Sequence, residues 1–217
     1  MYLNPDGVDE TLVETVASLE NVWNYFEIPV QHASDKILER MNRKSRIADI
    51  KELFTMIRRK IPDAVIRTTI LVGFPGETEA DFQELARFLE EEKPDLAGFF
   101  PYSSEEGTAA ASFEGAVPKR ITDSRIKALQ KIQKRNTTDR LKKFKDIVCF
   151  IDKLNSDFGF IFEGRSFFQA PETDGRLYIT DIGEIAQTID HGPYQAKITK
   201  VAYPDIYVKL IQRVVPK

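Results

Sequence analysis

Between Arg67 and Phe82 the sequence reads RTTILVGFPGETEADF, an apolar, β-branched run that stops in a turn with two glycines and a proline before an acidic helix start. Such a turn can cradle a phosphate, hold a nucleoside or simply reverse the chain. A phosphate loop needs G-x-x-x-x-G-K-[ST], with its lysine on the terminal phosphates. Here Glu77 follows Gly73-Phe74-Pro75-Gly76, so a carboxylate stands where a cation is needed, and the dinucleotide pattern G-x-G-x-x-G is absent. A nucleoside suits the turn better. Glycines let the main chain come close, exposed amides and carbonyls can read a purine edge, and Phe74 can lie on its face. Turn chemistry alone would also account for the prolines and glycines.

Those residues need a scaffold that gathers strand ends. Residues 23–31, WNYFEIPVQ, read as a short buried strand rich in aromatic and β-branched types. Ser34 can cap the helix that follows, with Ile37, Leu38 and Met41 on one face. A longer helix carries Ile47, Ile50, Leu53, Phe54, Ile57 and Ile61 at helical spacing, and Pro62 ends it. AVIRTTILVG is a second strand, Thr78 can cap a helix with Phe82, Leu85, Ala86 and Leu89 inward, and DLAGFFPYS is a third strand. This βαβ rhythm predicts a parallel sheet. Chemistry in such folds gathers at the carboxyl ends of strands. Gln31, His32 and Ser34 follow the first strand, the glycine turn the second, and Tyr102, Ser103, Glu105, Glu106, Gly107 and Thr108 the third.

Composition narrows the class. With 42% apolar and 30% charged residues over 217 positions, the chain can bury a real core in one large domain or two modest ones. No apolar run is long enough to span a bilayer, so no membrane partner is expected, and the start has no signal-peptide pattern. The single cysteine, Cys149, excludes an internal disulfide and suits a reducing cytoplasm. The net charge of −3 hides a basic segment: eleven lysines and arginines lie between Lys119 and Lys145, against Asp123 and Asp139. That segment could attract an RNA backbone. It could equally be a solvated helix face above a stripe of Ile121, Ile126, Leu129, Ile132 and Leu141. From about Lys145 short strands recur every 8 to 12 residues, with turns at Ser156-Asp157, Asp174-Gly175 and His191-Gly192-Pro193, the pattern of a small antiparallel β-barrel. The expected division is 1–143 and 144–214, an α/β part followed by an all-β part.

The stretches IPVQHASDKILERMNR, RTTILVGFPGETEADF and YSSEEGTAA resemble, in this order and spacing, the later half of the radical S-adenosylmethionine core of methylthiotransferases. The resemblance implies part of a TIM-like (βα) radical-SAM barrel, about three βα units of it, in a transferase that uses S-adenosyl-L-methionine and four-iron four-sulfur clusters. It assigns the cofactor contacts residue by residue: Gly73, Phe74, Pro75 and Gly76 along the adenine, Gln31 at the sugar or methionyl portion, and Arg67 and Thr69 near the carboxylate. The second half resembles the TRAM domain, an OB-like barrel often used for RNA binding.

The family has two main branches, one modifying a transfer-RNA adenosine and one, the RimO type, modifying an aspartate of small-subunit ribosomal protein twelve. His32 after PVQ, EEGT in place of a more basic form, and GRSFFQAPETDG resemble the protein-modifying branch. From Ile151 to Lys217 the charge agrees, with nine acidic against eight basic residues and none of the basic excess an RNA-gripping barrel needs. A small-subunit ribosomal protein is therefore the expected partner, with RNA, through the basic helix or the barrel, as the alternative. The cluster motif C-x-x-x-C-x-x-C is absent. The expectation is a part of the enzyme, inactive alone, with no metal site of its own. Glu105 and Glu106 are expected in a solvated loop, and His32 and His191 as packing or turn residues.

Overall fold

The computed structural model describes residues 2–154, 162–170, 173–183, 185 and 189–214. It divides into two compact units, Met1–Asn136 and Thr137–Lys217.

The first unit begins with α1 (Glu10–Ser18), capped by the Asp9 carboxylate, which accepts the Leu12 N–H at 2.8 Å. The sequence pattern places no element here, because α1 fully buries only Val13. Next come β1 (Tyr25–Glu27), α2 (Asp35–Arg40), α3 (Ile47–Lys60), β2 (Val65–Val72), α4 (Glu79–Glu92) and β3 (Leu96–Pro101). The three strands are parallel in the order β1-β2-β3. β1 is much shorter than the expected 23–31. Pro29 has no N–H for a ladder, and Gln31 adopts a left-handed φ of 69°, leaving it only an isolated bridge to Ile70. The Thr68 hydroxyl stitches this irregular stretch to β2, donating to the Ile28 carbonyl at 2.9 Å and accepting the Val30 N–H at 3.2 Å.

Alternation along β2 sends Ile66, Ile70 and Val72 toward the helices, where they join Ile50, Phe54 and Ile57 of α3 and Leu85, Phe88 and Leu89 of α4 in one core. Each such side chain contributes about 1.5–3 kcal/mol on burial. α4 starts at a true capping box: the Thr78 hydroxyl faces the Asp81 N–H, and the Asp81 carboxylate accepts the Thr78 N–H at 2.8 Å. Ser34, expected to cap α2, makes no cap bond; its hydroxyl donates instead to Asp81 Oδ1 at 2.7 Å.

Helix α5 (Lys119–Leu141) packs less apolarly than expected. Leu129 and Leu141 are buried while Ile121, Ile126 and Ile132 are half-buried, and Thr122, Arg125, Gln133 and Asn136 occupy buried positions between them. The polar residues have a purpose. Gln133 Nε2 donates to the Pro94 carbonyl at 2.9 Å, and Asn136 Nδ2 to the Leu89 carbonyl at 2.7 Å, which also accepts the Lys93 N–H at 3.2 Å, so both tie α5 to the main chain around the end of α4. Lys127, Lys131 and Lys134 remain exposed.

The second unit is a closed barrel of β4 (Ile147–Lys153), β5 (Phe162–Ser166), β6 (Leu177–Asp181), β7 (Tyr194–Ala202) and β8 (Asp205–Arg213), ordered β4-β5-β6-β8-β7. All pairs are antiparallel except β6–β8. Alternate residues fill it, among them Ile147, Cys149, Ile151, Leu177, Ile179, Tyr194, Ala196, Ile206 and Val208. Turns fall at Asp174-Gly175 and His191-Gly192-Pro193 as expected, and Ser156-Asp157 lies outside the described residues. The observed class is the expected one, α/β followed by all-β with an OB-like barrel.

Candidate functional site

Arg67, Thr69 and Leu71 alternate onto the face of β2 turned away from the α3 and α4 core, in register with Leu96, Gly98 and Phe100 of β3. The structure brings Gln31 and Thr69 together there: the Gln31 N–H donates to the Thr69 carbonyl at 2.8 Å, and the Gln31 carbonyl accepts the Leu71 N–H at 2.8 Å. Arg67 lies two residues deeper and is 4% exposed. Its guanidinium donates to Glu27 Oε1 at 2.5 Å, so its charge is already balanced within the sheet. Gly98 keeps this face shallow, since a side-chain carbon there would approach the Phe100 ring at 3.0 Å.

The glycine turn differs from the bare main chain expected. Gly73 and Gly76 hold φ of 83° and 86°, values that L side chains rarely adopt. The turn's polar main-chain groups, however, largely have partners. Gly73 N–H donates to Glu77 Oε2 at 2.6 Å, Gly76 N–H to the Gly115 carbonyl at 2.8 Å, and Glu77 N–H to the Phe74 carbonyl at 2.9 Å. Arg40 Nε reaches the Pro75 carbonyl at 3.2 Å, and Lys36 Nζ the Gly76 carbonyl at 3.1 Å. The Phe74 ring is not free to lie on a purine either. It is 4% exposed and meets Tyr102 and Phe113 edge-on, with centroids at 5.1 and 6.1 Å. Segment 113–125 covers the turn, with Phe113 against the Phe74 ring, Gly115 bonded to Gly76 and Thr122 closed on Gly73.

Sequence reasoning missed the charged groups that hold this turn. Glu77 entered only as an argument against phosphate, Arg125 only as one cation of a basic run, and His32 as a packing residue. Together they form a buried cluster. Arg125 Nη1 donates to Glu77 Oε1 at 2.8 Å, and His32 Nε2 stands 3.6 Å from Glu77 Oε2. His32 Nδ1 accepts the Ser34 N–H at 3.0 Å, which assigns the ring proton to Nε2, facing the carboxylate. Asp81 is a second node. Burial pushes its carboxyl up, but hydrogen bonds from the Lys36 ammonium, the Thr78 and Ser34 hydroxyls and the Thr78 N–H outweigh that and hold it well below the usual carboxylate range. The one available signal was spacing, with Glu77 four residues after Gly73 and directly before a capping box. At the tip of β3, Tyr102 packs on Phe74, whereas Glu105 and Glu106 are exposed.

No iron–sulfur cluster fits this chain's own thiols. Cys149 is the only cysteine; it lies inside the barrel, and burial pushes its thiol up to about 12. Among the described residues, no group of three or more His, Cys, Asp or Glu is arranged to hold a metal.

Comparison with known proteins shows what the chain is similar to. The radical SAM superfamily is matched by residues 1–89. A ribosomal protein uS12 methylthiotransferase RimO from Geobacter sulfurreducens is 40% identical over 193 residues, 86% of this chain and 43% of the relative. The protein of the same name from Aquifex aeolicus is 39% identical over 209 residues, 95% of this chain and 48% of that protein. By sequence, the chain is similar to RimO-type radical SAM proteins. It spans less than half the length of these relatives. Among solved structures, the radical SAM enzyme coproporphyrinogen III oxidase (HemN) from Escherichia coli aligns with a TM-score of 0.54 and 16% identity, covering 62% of this chain and 31% of that one. That likeness speaks for the radical SAM fold alone. The RimO-type similarity, covering up to 97% of the chain, takes in both the α/β unit and the barrel.

Proposed function

We propose that this chain forms the S-adenosyl-L-methionine-facing strand tips and the substrate-side barrel of a methylthiotransferase that acts on an aspartate of a small-subunit ribosomal protein. The observation that carries this reading is the roughly 40% identity to uS12 methylthiotransferases, continuous from the parallel sheet into the barrel. Gln31 and Thr69 would meet the sugar and methionyl portions, and Arg67, oriented by Glu27, would set the field at the carboxylate. The turn Gly73-Phe74-Pro75-Gly76 would form the adenine wall, its shape held by the packed Phe74 ring and by the contacts from Glu77, Gly115 and Thr122. Bound there, S-adenosyl-L-methionine would supply the radical and methyl chemistry of the family. The family also uses four-iron four-sulfur clusters, and the thiolates for them would have to come from outside this sequence. The chain's own residues would orient the cofactor, and the barrel, TRAM-like in this reading, would carry the protein substrate. A cytoplasmic location goes with that substrate.

Calorimetry with S-adenosyl-L-methionine and pull-down with a recombinant uS12 protein test the two halves of the proposal. Binding of both supports it. The exposed stripe of Lys127, Lys131 and Lys134 supports one other reading, a contact to RNA. Tight, steeply salt-dependent binding of an anticodon stem-loop, with no capture of uS12, would replace the protein substrate with RNA.

A further inference from the structure

The last peptide of β2 is pinned at both ends. Its carbonyl, on Val72, accepts the Tyr102 N–H at 2.8 Å, and its N–H, on Gly73, donates to Glu77 at 2.6 Å. The second bond is not needed to reverse the chain, because the turn already closes through Glu77 N–H to the Phe74 carbonyl at 2.9 Å. What it fixes is the plane of the strand-tip peptide. The Glu77 side chain is fully buried, and its balancing cation comes from helix α5: Arg125 Nη1 sits 2.8 Å from Oε1 and Nη2 3.2 Å from the exposed Glu79 carboxylate. Arg125 also lies over the Phe82 ring at 5.3 Å, which holds the guanidinium plane. One helical turn earlier Thr122 closes on Gly73, where a side-chain carbon would come within 2.3 Å of its Oγ1.

We propose that Arg125 is a positioning residue: acting through Glu77, it sets the Gly73 amide and with it the wall of the S-adenosyl-L-methionine site. This rests on the cofactor reading above. An ion pair that merely glued α5 to the unit would change stability and leave affinity alone. A pair that aims a peptide at the ligand changes affinity in protein that is still folded. Lysine cannot reproduce the two-pronged contact to Glu77 and Glu79, although it keeps the charge.

The test uses the intact chain and three variants, Arg125→Lys, Arg125→Ala and, as a control on the same helix, Arg135→Ala, which breaks only the surface pair with Glu90. Calorimetry with S-adenosyl-L-methionine, the Gly73 amide proton shift and its exchange rate, and the urea midpoint are read together. Arg125→Lys should stay folded, weaken binding about tenfold, move the Gly73 amide resonance upfield as its bond to Glu77 loosens, and speed its exchange about tenfold. Arg135→Ala should change none of these. Should Arg125→Ala unfold, the lysine variant alone decides. Wild-type affinity and an unmoved Gly73 amide in Arg125→Lys would overturn the proposal. A wild-type chain that fails to bind the cofactor would overturn it too, by removing the reading beneath it, and that outcome is recognisable because the unmutated protein is then already silent.

Discussion

Replacing Gly73 with alanine challenges the turn at its tightest point. The added carbon would lie 2.3 Å from Thr122 Oγ1, 2.9 Å from Cγ2 and 3.2 Å from Cβ, on a backbone with φ of 83°. Two costs add. Holding a left-handed conformation with a side chain costs about 1–2 kcal/mol. Crowding a packed interface costs a further ~1–3 kcal/mol. The expected loss is therefore about 2–5 kcal/mol, a large fraction of a typical domain's stability. With a urea dependence of about 1–3 kcal/mol per molar, the midpoint should drop by roughly 1–2 M. The chain's single tryptophan, Trp23, lies in the α/β unit, so its fluorescence follows that unit. A second substitution separates the two costs. In Gly73→Ala/Thr122→Ala the nearest contact becomes the 3.2 Å approach to Cβ, so the steric part should largely return while the backbone part stays. Refutation is simple: a Gly73→Ala protein with the wild-type midpoint, or a double variant no better than the sum of the singles, would show that α5 does not close on this turn.

Three further outcomes follow from the same geometry. Arg67→Met should destabilise the α/β unit by about 3–5 kcal/mol, because Glu27 would be left buried without its cation; adding Glu27→Gln should recover much of that loss, and a lone Arg67→Met without effect on the urea midpoint would contradict the pair. Asp81 titrates lower in the folded state than in the unfolded chain, so its contribution to stability is present above the unfolded carboxyl value near pH ~4 and is lost as the pH falls below it. Asp81→Asn should accordingly flatten the acid limb of the stability curve, and an unchanged acid limb would count against the Lys36–Asp81–Thr78 node. Cys149, with its thiol pushed up to about 12, should resist a thiol reagent at pH 8 until the barrel is unfolded in denaturant. Stoichiometric labelling of the native protein within minutes would mean the barrel interior is open.

What could be read from the sequence was what local physics encodes. β2 announced itself through its β-branched run, α3 through its apolar period, and α4 through Thr78 as its cap and the inward Phe82, Leu85 and Leu89. β1 was over-extended because Pro29 and the left-handed Gln31 break a stretch whose composition still looks strand-like. α1 escaped because one fully buried valine leaves little periodic signal. The location of the glycine turn at a strand tip was legible, and its packing was not. Glu77 and Arg125 are 48 residues apart, and the Gly76 N–H donates to the distant Gly115 carbonyl, so only the folded chain shows that the turn is held from outside and that Phe74 is a support. The same distance hid the buried role of Arg125, which in one dimension is indistinguishable from the exposed lysines around it.

The account's central claim is that the carboxyl ends of β1 and β2 face a nucleoside cofactor. Titrating the isotopically labelled chain with S-adenosyl-L-methionine and following its amide resonances tests this directly. The predicted result is saturable shifts concentrated at Gln31, Thr69, Gly73 and Gly76, with the barrel amides unmoved. Shifts confined to the barrel, or to the outer faces of α3 and α4, would contradict it.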